Sequence, residues 1–134
     1  MSVASPTIGR VLVVDDETEV GRVVRDVLVN LGYIVKIAVT GREALRLAEI
    51  FLPDVVLLDI AMPGISGLEV LDRLRVDHPS MRVVMITANQ DVTVARDTLA
   101  RGAFDYLPKP FQFGLLERVV AAAVSTGTTP DTRP

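Results

Sequence analysis

The stretch "DVVLLDIAMPGISGLEVL", residues 54–71, changes periodicity once, and that change decides the fold. Val55 to Leu58 is an unbroken apolar run of strand length, lacking the polar alternation of a sheet with one face in water. A loop punctuated by Pro63, Gly64 and Gly67 follows, and Ser66 and Glu69 stand at capping-box spacing ahead of Val70, Leu71 and Leu74. A strand buried on both faces and followed at once by a capped helix is the repeating unit of a parallel α/β sheet. Asp59 ends the strand. A carboxylate drawn toward a low-dielectric interior is costly unless a cation or strong donors meet it.

Working outward, the same unit recurs five times. "RVLVV" is the first strand, and Val20, Val23, Val24, Val27, Leu28 and Leu31 recur at helical spacing until Gly32 supplies a stop. "YIVKIAV" is the second strand, followed by a helix that opens on a Thr40–Glu43 capping box and closes at Pro53. After the third unit, which His78 and Pro79 break, "RVVMIT" is the fourth strand, with a helix from about Asp91 to Arg101 ending at Gly102. "FDYL" is the fifth strand, and the last helix spans Phe111 to about Val124. Strict alternation implies a doubly wound parallel sheet with right-handed crossovers and helices on both faces. Five units fit a flavodoxin-like (βα)5 three-layer sandwich with strand order 2-1-3-4-5, whereas a closed barrel needs eight. One domain is expected over residues 9–124, with 125–134, polar and proline-containing, as a flexible tail or linker.

Composition narrows the function. The chain has no cysteine, which removes disulfides, thiolate catalysis and Cys-based zinc sites together. Its lone histidine, His78, lies in a turn without a nearby second ligand and reads as a surface residue. Net charge is −3 with the basic residues scattered, so no footprint for direct nucleic-acid binding is present. No apolar run is long enough to span a membrane, and "MSVASPTIGR" has no signal-peptide pattern, so a cytoplasmic protein without membrane contact is expected.

In the 2-1-3-4-5 order, strands 1, 3, 4 and 5 lie side by side, and ligands bind at their carboxyl ends. Those ends carry Asp15 and Asp16, Asp59, Thr87, and the segment from Tyr106 to Lys109. Each residue has an ordinary explanation taken singly. Asp16 could cap the first helix with Glu19 completing the box, Asp59 could bind loop amides, Thr87 and Tyr106 could be plain sheet residues, and Lys109 could be solvated. Such separate accounts leave unexplained why the polar residues fall together at adjacent strand ends. Carboxylates gathered in one crevice repel one another and call for a cation. With oxygen ligands only, magnesium is the natural ion, with manganese as a substitute. A metal, a lysine and a hydroxyl around one carboxylate also form the electrophilic clamp of phosphoryl transfer, with Asp59 as nucleophile.

At this point "VLVVDDE", "VVLLDIAMPGISGLEVL", "VVMITA" and "GAFDYLPKPF" together resemble the signature segments of response-regulator receiver domains of two-component signalling. The resemblance covers nearly everything from Arg10 to Val124, and its closing segment is similar to receivers of the nitrogen-regulation type, which often precede an ATPase and a DNA-binding domain. It implies a signalling switch, not a turnover enzyme. A sensor histidine kinase or histidine phosphotransfer protein would phosphorylate Asp59 in a magnesium-dependent reaction, and the chain would catalyse only this transfer and its own dephosphorylation. The resemblance implies that Asp15, Asp16, Asp59 and the backbone carbonyl of Ala61 hold the metal. It further implies that Thr87 binds a phosphoryl oxygen, Lys109 pairs with the phosphorylated aspartate, and Tyr106 is the aromatic switch. Ala61 and Asn89 would tune the lifetime of the phosphoryl group, and Lys109–Pro110 would be a cis peptide. A phosphorylation-dependent homodimer through the fourth helix, fifth strand and last helix is a further expectation.

Two rivals use neighbouring chemistry. A haloacid-dehalogenase-like phosphatase also has an aspartate nucleophile, magnesium, threonine and lysine, but its D-x-D-x-T motif would place the nucleophile on the first strand. Here Asp15 is followed at those places by Glu17 and Glu19. A small flavin or nucleotide carrier needs a Gly, Ser or Thr phosphate loop after the first strand, where "DDETE" would repel phosphate.

Overall fold

The computed structural model describes residues 8–88 and 92–128. Ten elements alternate along them: β1 (Arg10–Val14), α1 (Thr18–Asn30), β2 (Ile34–Ala38), α2 (Gly41–Phe51), β3 (Val55–Asp59), α3 (Gly67–Asp77), β4 (Arg82–Ala88), α4 (Val92–Ala100), β5 (Asp105–Lys109) and α5 (Phe113–Thr128). All strand pairs are parallel, and the order is β2-β1-β3-β4-β5. The expected flavodoxin-like architecture is the observed one. Chain direction across the sheet reverses between β1 and β3, which opens a crevice at their carboxyl ends.

Two apolar layers hold the sheet. On one face Val13, Leu57 and Ile86 pack with Val24 and Leu28 of α1 and with Leu116 and Val120 of α5. On the other, Val14, Leu58 and Met85 pack with Ala44 and Ala48 of α2 and with Val70, Leu71 and Leu74 of α3. The central strand β3 is buried at every residue, so its apolar run has no solvent face to pattern. Edge strand β2 instead alternates exposed and part-buried residues. Helix α4 is the most lightly anchored, with Ala95 and Thr98 its buried residues.

The caps follow from local chemistry. Thr40 Oγ1 accepts from the Glu43 amide at 3.0 Å, and Glu43 returns a carboxylate to the Val39 amide, also at 3.0 Å. Ser66 Oγ accepts from the Glu69 amide at 3.2 Å. Helix α1 differs from the alternative in which Asp16 caps it, because it begins at Thr18 behind Glu17 and has no side-chain cap bond. Gly102 stops α4 in the left-handed region at φ 103°, where a Cβ is disfavoured. Ahead of Pro53, Leu52 takes that conformation itself, at φ 51°.

Two boundaries move relative to the sequence reading. Strand β5 runs on through Pro108 to Lys109, which an edge strand tolerates because one side needs no ladder donor. Helix α5 starts at Phe113 and passes the expected end at Val124 to reach Thr128, since no proline intervenes before Pro130. Residues 125–128, assigned from sequence to the tail, are therefore helical, and 129–134 lie outside the described residues. No helix among the described residues is long and apolar enough to cross a membrane.

Candidate functional site

Each strand end delivers one group into the crevice. Past β1, the Asp15 amide still bonds to Ala38 O at 3.0 Å, which holds its fully buried side chain at the head of the sheet. Asp15 Oδ1 accepts from the Glu17 amide at 2.9 Å. Asp59, 5% exposed, ends β3 with Oδ1 accepting from the Ala61 amide at 3.0 Å. The Asp59–Ile60 backbone also packs so closely on Gly67 that a Cβ there would collide with the Asp59 carbonyl. Glycine at the start of α3 is thus what lets the helix and the acid loop approach.

Lys109 closes the crevice from the end of β5. Its Nζ donates to Glu17 Oε1 at 2.9 Å and to Asp59 Oδ2 at 3.1 Å. Asp15 Oδ2 lies 3.1 Å from the same nitrogen, yet off the line that a hydrogen bond requires, so this buried oxygen is ion-paired but lacks a hydrogen-bond donor. Burial alone would lower the lysine's pKa. Hydrogen bonds to Glu17 and Asp59, with the nearby Asp15 carboxylate adding to them, outweigh it and hold the ammonium well above the ordinary lysine range. Burial raises the Asp59 carboxyl above its usual range, Lys109 and the Ala61 amide offset this only in part, and the Asp15 charge adds to the rise.

One ammonium therefore serves three carboxylates. Oxygens of Asp15, Glu17 and Asp59 lie within 4.8 Å of one another, a set able to surround a cation. A hard divalent ion fits these residues: the donors are all oxygen, and the buried Asp15 Oδ2 has an unused lone pair turned toward the cluster. Asp16 is exposed and stands outside that converging set, whose third member is Glu17. The sequence reading pairs Asp15 with Asp16 and does not include Glu17, which the structure adds to the cluster. Its offset of two from Asp15 was the available signal, but the direction of its side chain depends on where α1 begins.

The remaining groups surround this cluster. Thr87 is buried, one residue beyond the Asp59–Ile86 register pair, and lies opposite Pro108. Tyr106 lies opposite Met85, so strand alternation sends Thr87 and Tyr106 to the same face of the sheet, and the tyrosine is 36% exposed. The Lys109–Pro110 peptide is cis. Asn89 lies outside the described residues. Beside Lys109, an apolar groove of about 700 Å³ runs between α1 and the start of α5, lined by Val20, Val23, Pro110, Phe111 and Phe113 among others.

This geometry coincides with a family match: residues 11–121 match the response regulator receiver domain. The chain belongs to the receiver domain family. Among curated relatives, the DNA-binding transcriptional regulator NtrC of Escherichia coli K12 is 38% identical over 117 residues, covering 87% of this chain and 25% of that protein. Response regulator MprA of Mycolicibacterium vanbaalenii is 43% identical over 124 residues, covering 91% of this chain and 52% of that one. The receiver thus spans a quarter to about half of these relatives. Among solved structures, the receiver domain of NtrX from Brucella abortus superposes with a TM-score of 0.83 at 34% identity, covering 87% of this chain and 98% of that one. A CheY-like receiver protein from Methanospirillum hungatei gives 0.84 at 28% identity, with coverage of 92% and 97%.

Proposed function

We propose that this receiver takes a phosphoryl group on Asp59 from the phosphohistidine of a sensor kinase or phosphotransfer protein and passes the change to a partner or output domain. The observation that carries the reading is the pairing of Asp59 with Lys109 at 3.1 Å beside the orphaned Asp15 oxygen. An Asp59 carboxylate oxygen attacks phosphorus as the bond from phosphorus to the histidine nitrogen breaks, leaving an acyl phosphate and, because the donor's other ring nitrogen carries a proton, a neutral imidazole. Lys109 supplies positive charge to the phosphoryl oxygens, and the Thr87 hydroxyl donates to one of them. Asp15, Asp59 and the Ala61 carbonyl would hold magnesium, with Asp16 acting at the rim through water. Bound there, the ion neutralises charge on the transferring group.

The groove between α1 and the start of α5 suits the donor. It is apolar, adjoins Lys109, and offers a surface on which a donor can rest while presenting its histidine to the crevice. Hydrolysis of the acyl phosphate then depends on water access, which small Ala61 leaves open and Asn89 orients without deprotonating. As Thr87 moves toward the phosphoryl oxygens, Tyr106 turns inward from the surface it occupies here, and the face of α4, β5 and α5 changes. Val124 is buried in the core, whereas Tyr106 and Leu99 are exposed on β5 and α4, and Phe113, 49% exposed at the start of α5, stands between this face and the groove beside α1. A phosphorylation-dependent homodimer would use the α4–β5–α5 face. The setting is cytoplasmic, and any action on DNA would pass through a further domain; the NtrC relative is named a DNA-binding transcriptional regulator, and this chain covers 25% of it.

Trapping the acyl phosphate tests this directly. After incubation with acetyl phosphate and magnesium, borohydride reduction should convert Asp59 alone to homoserine in the peptide spanning β3. Conversion at Asp15 or Asp16 instead would assign the nucleophile to β1 and restore the phosphatase alternative.

A further inference from the structure

The shortest contact of Lys109 is with Glu17, a residue to which the reaction above gives no task. Glu17 occupies the N-cap position of α1, where an acidic side chain ordinarily accepts from helix amides, but its carboxylate makes no cap bond. It is turned across the crevice to a lysine 92 positions away. The side chain of Glu17 is 62% exposed and that of Lys109 25%, so this pair forms the outer rim of a cluster whose inner members, Asp15 and Asp59, are buried.

An ammonium has three N–H donors, and in this structure three carboxylates crowd it. Glu17 and Asp59 take two of these donors and the Asp15 charge crowds the third, so a phosphoryl group on Asp59, which brings three acceptor oxygens, can engage more than one donor only if a present partner yields. Asp15 and Asp59 are fixed by backbone amides of Glu17 and Ala61, whereas among the described residues Lys109 alone holds the Glu17 carboxylate. It is the partner free to leave. Its charge also faces an incoming phosphoryl donor at the mouth of the crevice.

Resting on the reading of Lys109 as the phosphoryl partner, we propose that Glu17 is a positioning residue, a resting-state latch that occupies Lys109 and opposes phosphorylation until the phosphoryl oxygens displace it. The latch sets how readily the receiver is charged. It requires no change in the fold.

Lysine labelling in metal-free buffer reads the latch without any phosphorylation, because the chain has one other lysine, Lys36, which is exposed on β2 and serves as an internal reference. In wild type, amine labelling followed by peptide mass analysis should show Lys109 protected relative to Lys36. Glu17→Gln should raise Lys109 labelling about fivefold, the effect of a partly exposed ion pair, with Lys36 unchanged. Glu17→Asp keeps the charge but shortens the reach, and should raise it similarly. At saturating magnesium and acetyl phosphate, Glu17→Gln should also phosphorylate about two- to fivefold faster than wild type. Unchanged Lys109 labelling in both variants, a rise in Glu17→Gln alone, or an equal or slower phosphorylation rate would overturn the latch. Failure of wild type to take a phosphoryl group would instead overturn the function proposed for Asp59, while the labelling comparison would still decide whether Glu17 holds Lys109.

Discussion

A carboxylate at the end of a buried strand destabilises a fold until something neutralises it, and Asp59 shares its one lysine with Asp15 and Glu17. Its folded pKa is raised, chiefly by burial, so over the window from the unfolded value near about 4 up to the folded value the native state binds more protons than the unfolded chain. Stability therefore falls as pH rises through that window, and the penalty is fully present above it. In metal-free buffer at neutral pH, Asp59→Asn should raise the unfolding free energy by about 1 kcal/mol, and the gain should vanish as pH drops below the ordinary carboxylate range. Urea unfolding of both proteins across pH measures it, and a destabilised Asn variant would contradict the charge accounting. At this scale Asp59, Thr87 and Lys109 were legible in the sequence, because each stands where an apolar run ends and the strand order makes those ends neighbours. Glu17 was not. Whether its carboxylate or that of Asp16 faces the crevice turns on the first residue of α1, and sequence patterns leave helix starts open by a residue or two.

At the scale of elements, α1 does two jobs: one face seals the core with Val24 and Leu28, and another lines the groove with Val20 and Val23. Val23 is 48% exposed and is therefore replaceable without opening the core. Val23→Glu should lower phosphotransfer from a cognate kinase by about tenfold while leaving phosphorylation by acetyl phosphate unchanged, since the small donor needs no docking surface. Equal loss with both donors would mean the groove is part of the fold and not a donor seat. The helices themselves were readable from caps, with Thr40 and Ser66 each accepting from the glutamate amide three residues on. Less readable were the ends lacking strong punctuation. Nothing in "AAAVSTGT" stops α5, and its last turn extends beyond the apolar pattern that the core imposes.

For the whole molecule, the order 2-1-3-4-5 followed from counting five strand–helix units and from strands too apolar to face water, and both survive in the sheet. What sequence could not assign is which apolar residues of α5 the core consumes: Val124 is buried and Phe113 is left 49% exposed at the start of the helix. If the α4–β5–α5 face drives association, sedimentation of the receiver with a beryllofluoride mimic of the phosphoryl group should show a shift toward dimer that Phe113→Ser abolishes. An equal shift in both proteins would place the interface elsewhere. The central claim is that the crevice at the sheet's carboxyl edge makes Asp59 a metal-dependent phosphoacceptor, and intact mass after incubation with acetyl phosphate tests it most directly. One added phosphoryl group is expected on wild type with magnesium, and none on wild type with a chelator or on Asp59→Asn. An unphosphorylated wild type with magnesium, or an Asn variant that gains the same mass, would contradict it.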